Sequence, residues 1–192
     1  EKNLQIPCFD TSWDLSDSSA DMNSLLELIC VAHNTRVNYV VACALHDDEE
    51  LVCQRLHILL EAAEKHGVGI LLKTSGIFAD TARLRLVMEC FASDYLGALW
   101  DVHHPYRDLG ESADTTIKNL GSYVRHVHLR DSDDEGNYQL IGEGTMPIAD
   151  VMRALSSVNY DGFISLEWKP DWLEDLQDME VIFPYFELTR FA

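Results

Sequence analysis

The sequence is short of basic residues, and this shortage excludes one class of partner. Only 14 Lys and Arg side chains stand against 33 Asp and Glu, so the formal net charge of the 192-residue chain is -19. A surface with this excess of negative charge repels phosphate backbones and anionic lipid. We therefore expect no nucleic-acid partner.

Cysteines and long apolar runs are scarce as well. The five cysteines are odd in number and form no CxxC pair, which is typical of reduced thiols in a cytosolic protein. No apolar stretch reaches the roughly 18 residues of a membrane-spanning helix, and the opening EKNLQIPCFD lacks the basic and apolar regions of a signal peptide. We predict a cytoplasmic protein without a membrane partner.

Short apolar runs rich in β-branched residues alternate with longer stretches of helical periodicity. The apolar runs lie at residues 5–9, 38–44, 68–72, 96–100, 124–129 and 163–166. The helical stretches are 19–37, 49–66, 79–93, 113–122, 147–157 and a last one from about 175. Such alternation indicates repeated βα units around a parallel sheet. We predict a single α/β domain over residues 1–192, without a linker or an internal repeat.

This pattern predicts a (β/α) barrel of the TIM type that is incomplete at its N-terminal side. A closed barrel has eight strands and about 250 residues, whereas six strands are visible in this sequence. We expect the first two βα units to be absent, or to be supplied by another segment or a partner chain. A homo-oligomer is one way to cover the open strand edges. The stretch 132–142, SDDEGNYQLIG, predicts a short hairpin or an active-site loop.

Polar side chains follow several of the predicted strands. Asp101 and His104 come directly after one of them. His126 and His128 share one face of the next strand by its period of two, and Glu167 ends the last. Because the C-terminal ends of barrel strands converge on one mouth, we expect these side chains to meet there. Carboxylate and imidazole ligands from separate strands suit a divalent ion such as Mn²⁺, Mg²⁺, Co²⁺ or Zn²⁺.

Each of these residues also has a simpler interpretation. An HxH pair on a buried strand often contains a core histidine, and Asp101 can cap the loop that follows it. Glu167 can be a solvated carboxylate at a strand end. The repetition of polar strand ends in consecutive βα units is what favours a shared site.

Five segments together resemble the xylose-isomerase-like family of sugar phosphate isomerases and epimerases. They are LLKTSGIFADTARL, GALWDVHHPYRDLGE, VRHVHLRDS, IGEGTMPI and YDGFISLEWKP. The resemblance covers about residues 5–190, and it is specific because the segments keep the family's order and spacing. It implies a TIM barrel, a small sugar or sugar phosphate as substrate, and a divalent metal that assists proton transfer beside a carbonyl.

The resemblance also implies roles for individual residues. Asp101, His128 and Glu167 match the family's metal ligands, and Glu167 matches its catalytic base. Further side chains are expected to contact the substrate. They are His103, His104, Arg130 and Trp168.

The chain departs from the family pattern at Lys73, where the resemblance implies a first metal-binding Glu. A lysine removes one ligand and one of two proton-transfer carboxylates, and it brings a positive charge. Three interpretations remain open: a metal held weakly by Asp101, His128 and Glu167, a metal-free enzyme with the Lys73 ammonium as electrophile, or a binding or regulatory module without turnover. A Schiff-base role for Lys73 requires a lowered pKa, which neighbouring carboxylates oppose. We predict an isomerase or epimerase, with the non-catalytic module as the alternative.

Overall fold

The structure, a computed structural model, describes residues 4–168 and 179–189. Its strands are β1 (Cys8–Asp14), β2 (Tyr39–Cys43), β3 (Gly69–Lys73), β4 (Leu96–Asp101), β5 (Val124–Leu129), β6 (Asp131–Ser132), β7 (Tyr138–Gln139) and β8 (Ile164–Leu166). Six of them form one parallel sheet in the order β1-β2-β3-β4-β5-β8. Among the described residues, nothing pairs with the outer edges of β1 and β8. The predicted α/β class and the incomplete barrel are therefore confirmed.

Helices cover the outside of this half-barrel. They are α1 (Met22–Thr35), α2 (Glu49–His66), α3 (Thr81–Phe91), α4 (His103–Leu109), α5 (Ala113–Leu120), α6 (Ile148–Ser157) and α7 (Met179–Thr189). A 3-10 turn, Gly76–Ala79, precedes α3. The first residues of the predicted last helix, 175–178, lie outside the described residues. Of the described helices, none is long and apolar enough to cross a membrane.

Helix boundaries follow local signals in the sequence. The Asp80 carboxylate accepts hydrogen bonds from the backbone N–H groups of Ala82 and Arg83 and so begins α3. Gly67 ends α2 in the left-handed region, at a φ of 65°, where glycine is unstrained. All five cysteines are free, as the sequence predicts.

Three segments refine or correct the predicted elements. The first strand, predicted at 5–9, runs from Cys8 to Asp14, because its polar residues still pair with β2 across a bulge. Helix α4 was not predicted, since it is short and begins where the Asp101 carboxylate accepts a hydrogen bond from the His103 backbone N–H. In the stretch 132–142 the predicted hairpin is present, with β6 and β7 antiparallel.

The two faces of the sheet have different surroundings. The outer face packs against the helices in the main hydrophobic core. On the inner face, Val41, Leu71 and Leu99 form a small separate apolar cluster. Because side chains alternate along a strand, the next inward residues on β3 and β4 are Lys73 and Asp101. An apolar floor therefore lies beneath the polar C-terminal end of the half-barrel.

Two buried histidines support this polar end. His126 is 1% exposed, and its Nε2 lies 2.9 Å from Ser165 Oγ. Burial lowers the pKa of His126 to about 4, with a smaller effect of His128. Burial also lowers the pKa of His103 to about 4, with a further effect of Arg130. Both rings are therefore neutral at pH 7.

The loop between β5 and α6 is organised by one carboxylate. Asp131 is 1% exposed, and it accepts hydrogen bonds from the backbone N–H groups of Gly142 at 2.8 Å and Met146 at 3.1 Å. A side chain at Gly144 would collide with Asp131, so only glycine fits there. The β6–β7 hairpin is thereby fixed beside the mouth of the half-barrel.

Arg55 on α2 fastens the segment that follows β1. Arg55 is 7% exposed, and its guanidinium donates hydrogen bonds to the carbonyl oxygens of Leu15 at 3.1 Å, Asp17 at 2.7 Å and Ala20 at 3.2 Å. Since these carbonyls belong to one irregular turn, a single side chain ties that turn to α2.

Arg55→Leu should destabilise the fold, because it leaves these carbonyl oxygens without the guanidinium donor. We expect the free energy of unfolding in urea to fall by about 2 to 4 kcal/mol. Arg85→Leu is the matched control, because it removes only an exposed pair with Glu89 and should barely move the midpoint. Equal losses in both variants would contradict the role of Arg55.

The neutral histidines predict a dependence of stability on pH. His126 and His103 have a pKa of about 4 in the folded chain against 6.5 for a free ring, so the unfolded chain binds more protons between these values. The free energy of unfolding should therefore fall as pH drops from about 6.5 towards 4. Urea midpoints at several pH values measure this slope. His126→Gln should flatten it, whereas the exposed His57→Gln should leave it unchanged.

Candidate functional site

Charged side chains from five strands meet at the C-terminal end of the sheet. We call this group the mouth cluster. It comprises Asp10 of β1, Lys73 of β3, Asp101 of β4, His128 and the following Arg130 of β5, and Glu167, which follows β8. Asp101 and His128 are direct neighbours in the pairing of β4 with β5. The sheet therefore brings together residues that are up to 157 positions apart, Asp10 and Glu167.

Lys73 lies among the carboxylates of the mouth cluster. Its Nζ is 3.1 Å from Glu167 Oε1, 3.3 Å from Asp101 Oδ2 and 3.8 Å from Asp10 Oδ2, and its side chain is 14% exposed. Burial opposes the charge on Lys73, but the three carboxylates together outweigh it and raise its pKa above the usual value. The ammonium is therefore charged at neutral pH, which opposes a Schiff-base role.

Arg130 is the second cation of the mouth cluster. Its Nη2 lies 3.2 Å from Asp101 Oδ2, and its Nη1 lies 3.6 Å from Glu167 Oε2. Nη2 also lies 2.8 Å from His104 Nε2. A guanidinium can only donate, so His104 Nε2 is the acceptor and His104 Nδ1 donates to Asp108 at 2.9 Å. His104 is thereby held as one neutral tautomer at the rim.

Asp101 is fully buried and permanently ionised. Burial raises its pKa, but Arg130 and Lys73 outweigh that effect and hold the pKa at about 2. Its backbone is also fixed, because Thr74 Oγ1 donates to the Asp101 carbonyl at 3.0 Å and accepts from the Asp101 N–H at 2.9 Å. This carboxylate anchors the two cations and does not take up protons near neutral pH.

Asp10 is the member of the mouth cluster for which the sequence analysis predicted no role. Its Oδ2 lies 3.9 Å from His128 Nδ1, which is also 3.9 Å from Glu167 Oε2. The sequence contains a signal for its place in the site, since Asp10 directly follows an apolar run, as Asp101 does. Within the described part of the chain, His128 Nδ1 and Glu167 Oε2 are buried and have no hydrogen-bond partner.

The geometry allows a test of the predicted divalent metal. Asp10, His128 and Glu167 offer oxygen and nitrogen atoms within 4.8 Å of one another, a donor set that such ions accept. However, the ammonium of Lys73 already contacts Asp101 and Glu167, two of the three predicted ligands. A divalent ion about 4 Å from an ammonium is repelled by roughly 8 kcal/mol at an effective dielectric constant near 20, which cancels the attraction of one carboxylate. With Lys73 charged, the residues do not fit the metal.

The remaining predicted residues lie around the mouth cluster. His103 is buried against the β6–β7 hairpin, with Nε2 3.1 Å from Ser132 Oγ, and its ring centroid lies 5.6 Å from that of His104. Trp168 directly follows Glu167 and is half-buried. Its indole Nε1 is buried and has no hydrogen-bond partner among the described residues. Contacts of these residues with a substrate stay predictions.

Comparison with known proteins gives relatives among sugar epimerases. Fructoselysine 3-epimerase of Escherichia coli O157:H7 is 26% identical over 160 residues, which are 79% of this chain and 55% of that protein. A D-tagatose 3-epimerase-like protein superposes with a TM-score of 0.71 at 19% identity, over 95% of this chain and 78% of its own. D-allulose 3-epimerase from Methylomonas sp. superposes with a TM-score of 0.68 at 15% identity, over 94% of this chain and 66% of its own.

The extent of these matches limits what each one shows. The chain spans about half the length of the curated relatives it matches, 47% and 55%. The superposed structures share too little sequence to show more than the fold. A family model described as xylose isomerase-like TIM barrel matches residues 3–182, nearly the whole sequence. The chain therefore belongs to the xylose isomerase-like TIM barrel family.

Proposed function

We propose that this chain forms the reactive face of a sugar isomerase or epimerase that transfers a proton beside a carbonyl without a divalent metal. The observation that carries the proposal is the pair of Lys73 and Glu167, in which an ammonium and a carboxylate lie 3.1 Å apart at the mouth of the half-barrel. The substrate is a small sugar or sugar phosphate, in keeping with the epimerases among the relatives.

The two residues have complementary parts in such a reaction. Removal of a proton beside a carbonyl places negative charge on the carbonyl oxygen as an enediolate forms. A fixed positive charge at that oxygen lowers the barrier, because it stabilises charge that develops only in the transition state. The Lys73 ammonium supplies this charge and donates hydrogen bonds, and Arg130 adds a second positive charge nearby.

Glu167 is the proposed base, and its two oxygens differ. Oε1 accepts a hydrogen bond from Lys73 at 3.1 Å. Oε2 is buried, accepts no hydrogen bond from the described atoms and has Arg130 Nη1 3.6 Å away, so it is the oxygen that we assign to take the proton. The protonated carboxyl then returns the proton. Delivery to the same carbon gives exchange, whereas delivery to the neighbouring carbon gives isomerisation once the hydroxyl proton of that carbon has passed to the former carbonyl oxygen.

Further contacts would orient the sugar. Among the described residues the indole N–H of Trp168 has no hydrogen-bond partner, and it suits a substrate hydroxyl. His104 lies at the rim, with its side chain 30% exposed. The open edges of β1 and β8 would be covered by another segment or a second copy of the chain, which would also complete the pocket.

A binding or regulatory module without turnover is the second candidate. Lys73 stands where the resemblance implies one of two proton-transfer carboxylates, and it also neutralises part of the charge on Glu167. A base held by a cation is weaker, which favours binding over catalysis. Both candidates use the same pocket, so only a measurement of turnover separates them.

Proton exchange tests the enzyme. Incubation in D₂O with fructoselysine, D-tagatose and D-allulose, followed by NMR, should show loss of a carbon-bound hydrogen that persists in EDTA. Glu167→Gln should slow this exchange by about 10² to 10⁴, the usual contribution of a general base. Glu143→Gln changes an exposed carboxylate and should keep the wild-type rate. Binding of a sugar without exchange would favour the module, and exchange that requires added metal would contradict the metal-free mechanism.

A further inference from the structure

The carboxylates at the mouth of the half-barrel already hold a cation that belongs to the chain. We propose that the Lys73 ammonium is a built-in replacement for a divalent ion, and that it blocks a latent metal site formed by Asp10, His128 and Glu167, with the Asp101 carboxylate on the other side of the ammonium. This inference concerns binding alone, so it holds whether or not the chain turns over a substrate.

The geometry of the donor atoms supports a latent site. Asp10, His128 and Glu167 each offer one ligand atom, and these atoms lie within 4.8 Å of one another. Two of the available atoms, His128 Nδ1 and Glu167 Oε2, are buried and have no hydrogen-bond partner in the described part of the chain. Buried polar atoms without partners are rare, because leaving them unpaired is costly. A cation would satisfy both atoms together.

Charge balance explains why the wild-type chain should not accept that cation. The three carboxylates of the mouth cluster are opposed by the two cations Lys73 and Arg130, which leaves one net negative charge while the histidines are neutral. An incoming divalent ion would turn this into a net positive charge inside a largely buried cluster. The Lys73 ammonium would also lie too close to an ion held by these carboxylates, since Asp101 and Glu167 lie only 3.3 and 3.1 Å from its Nζ.

The position of Lys73 makes the replacement reversible by one substitution. Lys73→Glu removes a cation and adds a carboxylate, so the cluster goes from one to three net negative charges. The metal-free variant should be less stable than the wild type, because four carboxylates then face one another with Arg130 as their cation. A divalent ion should relieve this repulsion and bind.

Calorimetric titration with Mn²⁺ tests the inference, together with thermal unfolding in EDTA and in Mn²⁺. The wild type should bind Mn²⁺ only weakly and should have the same Tm in both solutions. Lys73→Glu should have a lower Tm in EDTA, bind one Mn²⁺ per chain on the order of 100-fold more tightly than the wild type, and recover its Tm with Mn²⁺. Lys118→Glu makes the same charge change on an exposed residue of α5 and should create no site.

Two further variants make the result decisive. His128→Asn added to Lys73→Glu should weaken Mn²⁺ binding by at least about tenfold if His128 is a ligand. Lys73→Met removes the cation without adding a carboxylate, and it replaces Lys73→Glu in the test should that variant not fold. The inference is overturned if the wild type binds Mn²⁺ as tightly as these variants, or if folded Lys73→Glu or Lys73→Met binds no better than Lys118→Glu. Turnover is not part of this readout, so a failure of the proposed activity leaves it intact.

Discussion

The ion pairs of Lys73 are the constraint on which the mouth of the half-barrel depends. Its ammonium contacts Asp101 on the neighbouring strand and Glu167 beyond β8, so it joins parts of the sheet that local structure does not connect. Without a cation at this point, the carboxylates would repel one another by about 4 kcal/mol per pair at 4 Å and an effective dielectric constant near 20. Arg130 and His104 are arranged around the same carboxylate that Lys73 contacts, because Arg130 lies between Asp101 and the neutral His104.

The fold creates the conditions that make these pairs strong. The inner face carries the apolar residues Val41, Leu71 and Leu99 one layer below the charges, which excludes water from beneath them. Above this layer, Asp101 is fully buried and Arg130 is 5% exposed. Charges in such surroundings are screened less than surface charges. A fully paired cluster is therefore stable, whereas removing one partner leaves an uncompensated buried charge.

Much of the fold could be predicted from periodicity. The helix predicted at 49–66 matches α2 residue for residue, and β3 differs from its predicted run by one position. The extension of β1 could not be predicted, since its inward residues are polar and look like a turn. Helix α4 was not predicted either. The Asp101 carboxylate helps to start this helix, but in the sequence it was interpreted as a residue of the site.

The candidate site shows where sequence reasoning ends. The amino-acid sequence alone identifies Lys73 as a departure from the family pattern. A lysine, however, has a long flexible side chain that often carries its charge out to water. In the structure this stem stays inside, with the side chain 14% exposed and the ammonium among three carboxylates. From that position follow both the charge balance on which the proposed exclusion of a metal rests and the proposed pairing of Lys73 with Glu167. A univalent ammonium stabilises a forming enediolate less than a divalent ion does, but it adds directed hydrogen bonds, so the proposed metal-free site keeps an electrophile.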